Sequence, residues 1–385
     1  MPMRDWLGGE RAIAMAFAVC LLGASCAQNE LPRGQKPKPP SASGAAPERI
    51  DTIATKARVS REHQVQDEER LRAEASAIDD QTQRIVHELA ALKVQSDLPA
   101  GHWAHVWAGQ YFTGDGLGKN VAICVAPGAG ITYTWHGCLG LYDGDHGTVM
   151  GTFDDNKDGS PDGISVDWTL WSKSGYGYVV GKYYFVCWNG PDNTPARRYL
   201  VPQSCMLDVV NHYNEGGYAR DGMYSAPLLN DEDGSPQNIF SGGAPIHGRP
   251  DLPEPWRSLL IKDKLVGEVT GVSGVTDGNV TSGVDFTVAR ITMNKGRSSG
   301  VFAGMEVPVE GNEHGVITFD RVGETWAEGE YRAYTSAGTH AEPPKLGQPI
   351  VLAVGDADEE FSQRMKDYEA AMNEPDTTSP DGNNR

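Results

Sequence analysis

The segment Phe153–Gly163, FDDNKDGSPDG, has the residue types and the spacing of a calcium-binding loop. Its candidate metal ligands stand at every second position: Asp154, Asn156, Asp158, Ser160 and Asp162. Alternate residues of a tightly curved loop converge on one point, and a glycine such as Gly159 permits the sharp turn. The twelfth position, which usually holds a bidentate glutamate, is Ser165. Since Asp and Asn also favour plain turns, we expect either a structural calcium ion or a polar hairpin loop.

A second group of polar and aromatic side chains lies in the segment WHGCLGLYDGDHG. Its candidate glycan-binding residues are Trp135, His136, Asp143, Asp145 and His146. Aromatic rings offer apolar faces to a sugar, and carboxylates accept hydrogen bonds from its hydroxyl groups. These residues therefore suggest an envelope glycan-binding protein or hydrolase. The alternative is that the aromatic residues of this small β domain form its core.

The remaining reactive side chains form no complete catalytic set, so the sequence favours a non-enzymatic protein. His102 and His105 offer half of a zinc site, although packed or surface histidines are the simpler interpretation. The mature part of the chain contains four cysteines: Cys124, Cys138, Cys187 and Cys205. In an exported protein, four cysteines in one segment favour two disulfides, and three connectivities are open. A zinc site is the rival, but no C-x-x-C spacing supports it.

The N-terminus has the features of an export signal. Arg4 and Arg11 flank the start of a short apolar run, which is followed by small residues and Cys26. LLGASC is similar to a bacterial lipobox, whose cysteine becomes a lipid-modified N-terminus. The alternative is an ordinary secretory signal cleaved near Ala27. In the first case we expect a lipoprotein anchored in a membrane, on the periplasmic side or at the cell surface.

Length, composition and charge predict a mainly β protein with two domains. The 385 residues exceed one average domain, and the net charge of −19 argues against a nucleic-acid partner. Short runs rich in aromatic and β-branched residues, separated by glycine turns, indicate two antiparallel β domains of the sandwich or barrel type. The predicted boundaries are 1–26 for the signal peptide, 27–58 for a flexible linker, 59–97 for an amphipathic helix, 98–215 for a disulfide-containing β domain with a short helix, 216–255 for a loop-rich connector, 256–354 for a small barrel-like domain and 355–385 for an acidic tail.

Two periodic patterns refine this picture. Apolar residues recur every seven positions in the predicted helix: Leu71, Ile78, Ile85 and Leu92. This seam over residues 71–92 indicates either self-association as a short coiled coil or packing against the adjacent domain. In the C-terminal domain, Val284, Phe286 and Val288 alternate with Asp285, Thr287 and Ala289, which is typical of a strand with one buried face.

Three segments of the C-terminal domain carry a resemblance to a known family. They are NKGRSSGVFAGMEVPV, GVITFDRVGETWAEGEYRAYT and PPKLGQPIV. Together they resemble the small β-barrel module of MreC-like envelope proteins and of flagellar and secretion accessory proteins. The stretch GDGLGKN…WHGCLGLYDGDHG, followed by YLVP, is also similar to uncharacterised bacterial exported proteins. The first resemblance implies a structural or interaction module. The expected function is therefore a membrane-anchored scaffold or interaction protein that contacts other envelope proteins.

Overall fold

The computed structural model describes most of the chain between residues 47 and 355. The described ranges are 47–94, 97–114, 120–137, 140–170, 178–189, 196–216, 228–229, 248–281, 284–309, 315–336 and 341–355, with no side-chain description before residue 65. The predicted signal peptide, Cys26, the linker up to residue 46 and the tail after residue 355 lie outside these ranges.

The described elements are mainly strands, which confirms the predicted mainly β fold. The helices are α1 (Pro47–Val94), α2 (Ala104–Trp107) and α3 (Met206–Asn214). The strands of the first sheet are β1 (Gly109–Gly114), β2 (Asn120–Ala126), β3 (Gly130–Gly137), β4 (Gly140–Phe153), β5 (Gly163–Trp168), β6 (Lys182–Asn189), β7 (Arg197–Pro202), β8 (Leu228–Leu229) and β9 (Arg249–Asp251). Those of the second sheet are β10 (Leu265–Thr281), β11 (Val284–Met293), β12 (Glu306–Pro308), β13 (Gly315–Val322), β14 (Ala327–Ser336) and β15 (Pro349–Ala353).

The first sheet is a nearly closed antiparallel barrel. Its strands β1 to β8 follow one another in sequence order around the ring, β5 pairs with β6, and β9 adds to the far end of β6. Aromatic and aliphatic side chains share the interior. Trp107 stacks on Phe185 with 4.6 Å between the ring centroids, and Trp168 packs edge-on against Tyr183. The sequence allowed the aromatic residues of this domain either to bind a sugar or to form its core. In the structure they are largely core residues, and Trp168 is 2% exposed.

The second sheet is also barrel-like, with the strand order β12-β13-β14-β11-β10-β15. The alternating pattern in β11 correctly predicts a strand, and the face packed into the main core is the one that carries Thr287 and Ala289. Thr287, Ala289, Ile291 and Met293 are buried, whereas Val284, Phe286 and Val288 are only half-buried. Ile291 and Met293 lie beyond the alternating stretch and are both fully buried. Because they share a face with Thr287 and Ala289, their burial places that whole face in the core.

Helix α1 begins at Pro47, earlier than the predicted residue 59, and ends at Val94. Ile78 and Ile85, the middle of the heptad seam, are buried against the first barrel, and Ile85 packs in a cluster with Cys124. The Glu88 carboxylate accepts the backbone N–H of Gly128 at 2.9 Å. The seam thus packs against the adjacent domain in its central part, while Leu71 remains 56% exposed.

Candidate functional site

The acidic loop between β4 and β5 is closed by its own hydrogen bonds. The Asp154 carboxylate accepts the backbone N–H groups of Asp158 (3.3 Å) and Gly159 (2.8 Å). Asp162 accepts the N–H groups of Asp155 (2.7 Å) and Asn156 (2.9 Å), and also the Asn156 side-chain amide at 2.9 Å. Gly159 has a φ of +88°, which a residue with a Cβ adopts only with strain. The sequence therefore encodes the turn through both its carboxylates and its glycine.

The remaining candidate ligands are also engaged. Asp158 Oδ1 accepts the N–H of Ser160 at 2.8 Å, and Asn156 Oδ1 accepts the N–H of Glu254 at 2.8 Å. Among the described residues, no group of three or more His, Cys, Asp or Glu side chains is arranged to hold a metal ion. Calcium binding at this loop stays a prediction. An ion at this position would have to share oxygens that already accept hydrogen bonds.

The loop is fixed to the barrel wall by Asp155, which is not one of the candidate ligands. The Tyr184 hydroxyl donates to Asp155 Oδ2 at 2.8 Å, and Lys182 Nζ lies 3.5 Å from Oδ1. The pKa of Tyr184 is raised to about 12. Burial is the main cause, and the hydrogen bond to Asp155 is the second. At the end of the loop, a Cβ on Gly163 would lie 2.0 Å from the Tyr183 carbonyl oxygen, so this position requires glycine. These contacts make the loop a rigid part of the β4–β5 corner.

The five candidate glycan-binding residues do not share one exposed surface. Residues opposite each other in a strand pair point to the same face, and Asp145 is opposite Tyr133, a fully buried residue of the barrel interior. Asp145 is itself 0% exposed, and its carboxylate accepts the N–H groups of His146 (2.7 Å) and Leu170 (2.9 Å). It therefore has a structural role and is inaccessible to a sugar.

The other four glycan candidates are divided between the two faces of the sheet. Trp135 is opposite Asp143. Each lies two residues from the interior pair of Tyr133 and Asp145, so both belong to the same inward face. His146 is opposite Thr132, on the outer face that α1 covers, and His136 is exposed. The bulge after Trp135 shifts the register at this end of β3. Sequence proximity grouped these residues, but the alternation of the strands separates them.

None of the described cysteines forms a disulfide. Cys124 and Cys205 are buried and Cys187 is half-buried, all as thiols, and Cys138 lies outside the described residues. Two disulfides among the four would require one bond within these three, which the structure does not contain. Burial raises the pKa of Cys124 to about 11, so its thiol is a poor nucleophile and a poor metal ligand at neutral pH.

The two histidines of the suggested zinc half-site act locally. His102 Nδ1 accepts the backbone N–H of Ala104 at 3.2 Å, at the start of α2. His105 Nε2 lies 3.2 Å from the carbonyl oxygen of Pro99. Both contacts fix the short turn that leads into β1, which accounts for these histidines without a metal.

The junction of the two barrels depends on two buried asparagines of α3, a feature that the sequence did not reveal. Asn211 donates to the Gly304 carbonyl (3.0 Å) and accepts the Glu306 N–H (3.3 Å), just before and at the start of β12. Asn214 donates to the Leu259 carbonyl (3.1 Å) and accepts the Ile261 N–H (2.9 Å). Each side-chain amide thus pairs with backbone groups as a neighbouring strand would, and their i, i+3 spacing places both on one side of α3.

Further contacts strengthen this junction. The backbone carbonyl of Asn214 accepts the N–H of Val354, just after β15, at 2.8 Å. Phe302 packs against both the core of the second barrel and the cluster around α3. Helix α3 therefore contacts both edges of the second sheet, near β12 and near β15, and joins them to the first barrel.

Comparison with protein-family models, with curated proteins and with solved structures finds no match to this chain. Among the described residues, no helix combines the length and the apolar composition needed to cross a bilayer.

Proposed function

We propose that this protein is a non-enzymatic interaction or scaffold module of the cell envelope, held at a membrane through a lipid on Cys26. The observation that carries the proposal is the junction at α3, where buried Asn211 binds backbone groups beside β12 and buried Asn214 binds the backbone of the segment that leads into β10. Buried, satisfied polar contacts of this kind favour one relative orientation of the two barrels. A fixed orientation is what a scaffold needs in order to present two surfaces together.

Helix α1 supports the same role as a spacer. All residues from 65 to 73 are exposed, so the helix has left the barrel surface before Glu74. At 1.5 Å per residue, the part from Pro47 to Ala73 spans about 40 Å. Arg70 forms ion pairs with Asp67 and Glu74, the i, i+3 and i, i+4 contacts that support a solvent-exposed helix. Such a helix would hold the barrels away from an anchored N-terminus.

Metabolic labelling with a radioactive fatty acid tests the anchor. The intact chain should be labelled and the Cys26→Ser variant should not. Label in both chains, or in neither, would contradict a lipid on Cys26. A cleaved secretory signal near Ala27 would give an unlabelled, released protein.

Photocrosslinking in intact cells tests the interaction role. A photoreactive residue placed at Leu346, which is 71% exposed on the second barrel, should yield a discrete crosslinked protein partner. The same probe at Leu71 on α1 serves as a matched exposed position. Crosslinks to lipid or to glycan alone at both positions would contradict a protein-binding module.

A further inference from the structure

One long side of β10 has no strand beside it in the part of the chain that the structure describes. β11 pairs with β10 from Val269 to Thr281, but β15 pairs with the other side only along Leu265–Glu268. The backbone of Val269 still pairs with Gly347 and Gln348, and beyond it no described strand continues. An unpaired strand edge presents backbone N–H and C=O groups to any extended segment that reaches it.

A groove lies on this same side of β10, at the base of the free edge. It has a volume of about 660 Å³ and is lined by Gly271, Val272, Glu342, Pro343, Pro344, Lys345 and Leu346. Leu346 is 71% exposed and Val272 is half-buried. The groove offers an apolar contact to a side chain that enters beside the strand, in addition to the backbone ladder.

The outer face of the neighbouring strands has an apolar patch near the far end of β10, while Arg290, Glu330 and Arg332 further along the same face are charged. Gly278, Phe286 and Tyr334 lie side by side across β10, β11 and β14, and Tyr334 is 40% exposed. The Phe286 ring lies over Gly278, where a Cβ would come within 2.3 Å of it. An apolar side chain of a strand added beside Gly278 would therefore lie next to this patch.

The opposite face at the same edge is acidic. Asp277 is exposed and accepts the Thr287 hydroxyl at 2.7 Å, and Asp285 accepts the Asn279 amide at 2.7 Å. β10 itself carries Glu268 and Asp277 but no lysine or arginine. A basic side chain in the added strand would complete a cross-strand charge pair with Asp277. A second copy of this chain would instead bring another net charge of −19 to the edge, which disfavours self-pairing.

We propose that the free side of β10, from Gly271 to Asn279, binds an extended segment of another protein in which apolar and basic residues alternate. The proposal rests on the role as an interaction module and specifies where the partner binds. β10 has register shifts between Val269 and Gly271, between Ser273 and Thr276 and between Asn279 and Thr281, and Gly274 has a φ of +61°, so the regular stretches of the edge are 271–273 and 276–279. Bulges limit the length of a ladder, so the added strand pairs with β10 over a short stretch only.

The test uses purified full-length protein and fluorescent nonapeptides, with binding followed by anisotropy and by amide hydrogen exchange. The probe alternates valine and lysine, and its control alternates valine and glutamate. Two further analogues are N-methylated, each on one of the two alternating sets of amides. We expect the lysine peptide to bind and to slow exchange within residues 271–279. The glutamate peptide and one of the methylated analogues should lose binding.

Two variants on the protein side complete the design. Asp277→Lys and Leu346→Glu should each weaken binding about tenfold, the usual effect of losing a central contact. Asp80→Lys makes the same charge change on an exposed position of α1 and should leave the affinity within about twofold. Leu346→Glu keeps the test valid even if Asp277→Lys unfolds, since Leu346 is mostly exposed.

Several outcomes would overturn the proposal. Equal binding by both methylated analogues would exclude strand addition, and equal binding by the glutamate peptide would exclude the charge match. A concentration-dependent dimer that protects the same amides would make a second copy the occupant. A protein crosslinked to Leu346 in cells, together with unchanged exchange at residues 271–279, would leave the interaction module standing and remove this site.

Discussion

Asp162 closes the acidic loop by accepting three hydrogen bonds, more than the loop's other carboxylates accept in the contacts described above. We expect Asp162→Ala to lower the free energy of unfolding by about 1–3 kcal/mol, because backbone N–H groups lose their acceptor. Asp158→Ala is the matched control, since it removes only the bond to Ser160. Urea unfolding of both variants measures the difference. Equal losses would mean that the carboxylate network does not hold the loop.

Melting of the protein with and without calcium distinguishes a calcium site in this loop from a plain turn. Its side-chain oxygens already accept hydrogen bonds from the loop and from Glu254, so we expect equal melting midpoints in calcium and in chelator. A higher midpoint in calcium that Asp158→Ala abolishes would instead establish a structural calcium site. Scanning calorimetry on the wild type and on this variant gives the answer.

Glu215, directly after α3, makes stability depend on pH. Its pKa is raised to about 7, first by desolvation beside α3 and then by repulsion from Glu306, but the side chains of Glu215 and Glu306 are both exposed to solvent, which keeps the effect on stability small. The folded state therefore holds a proton that the unfolded chain releases near pH 4.5, and stability falls as the pH rises from about 4.5 to 7. We expect Glu215→Gln to remove this fall and to be more stable than the wild type at pH 8.

Unfolding in urea at pH 5 and at pH 8 measures this effect. Glu306→Gln serves as a second variant, because it removes the repulsion and should bring the pKa of Glu215 closer to its ordinary value. A Glu215→Gln chain with the same pH profile as the wild type would show that another group controls this range.

At the scale of elements, α1 uses the middle of its heptad seam to cover the first barrel. Ile85 is 0% exposed, and its truncation to alanine leaves a cavity beside Cys124. We expect Ile85→Ala to lower the free energy of unfolding by about 2–5 kcal/mol. Leu71→Ala, at an equivalent heptad position that is 56% exposed, should change it by about 0.5 kcal/mol or less.

Sedimentation velocity on the same two variants separates packing from self-association. A monomer in which only Ile85→Ala is destabilised supports packing on the barrel. A dimer that Leu71→Ala dissociates would show that the outer part of the seam joins two copies.

The sequence predicted the positions of helices and strands better than the burial of their side chains. Alternation in β11 identifies a strand with one buried face, but it does not reveal that the rest of the barrel covers the face of Thr287 and Ala289. The spacing of Asp143 and Asp145 likewise gives no information about burial, which depends on strand pairing with β3. The closed turn at Gly159 was readable, because it depends on local chemistry alone.

The whole molecule depends on α3 to join its two barrels. Asn214 is 0% exposed and makes three contacts at the junction, to Leu259 and Ile261 in the segment that leads into β10 and to Val354 just after β15. Replacing Asn214 with alanine leaves the part-buried carbonyl of Leu259 and the part-buried N–H of Ile261 without their partner, which we expect to lower the free energy of unfolding by about 1–3 kcal/mol. The barrels have separate cores, so this loss falls on their coupling more than on either barrel alone.

We therefore expect the wild type to unfold in one cooperative transition and Asn214→Ala to unfold in two, as judged by scanning calorimetry. Asn189→Ala, an exposed asparagine at the end of β6, is the control and should keep a single transition. Distances between spin labels on the two barrels should broaden only in Asn214→Ala. A single transition with unchanged distances in that variant would show that the junction is held by apolar contacts such as Phe302, and that the asparagines only satisfy backbone groups left at the two sheet edges.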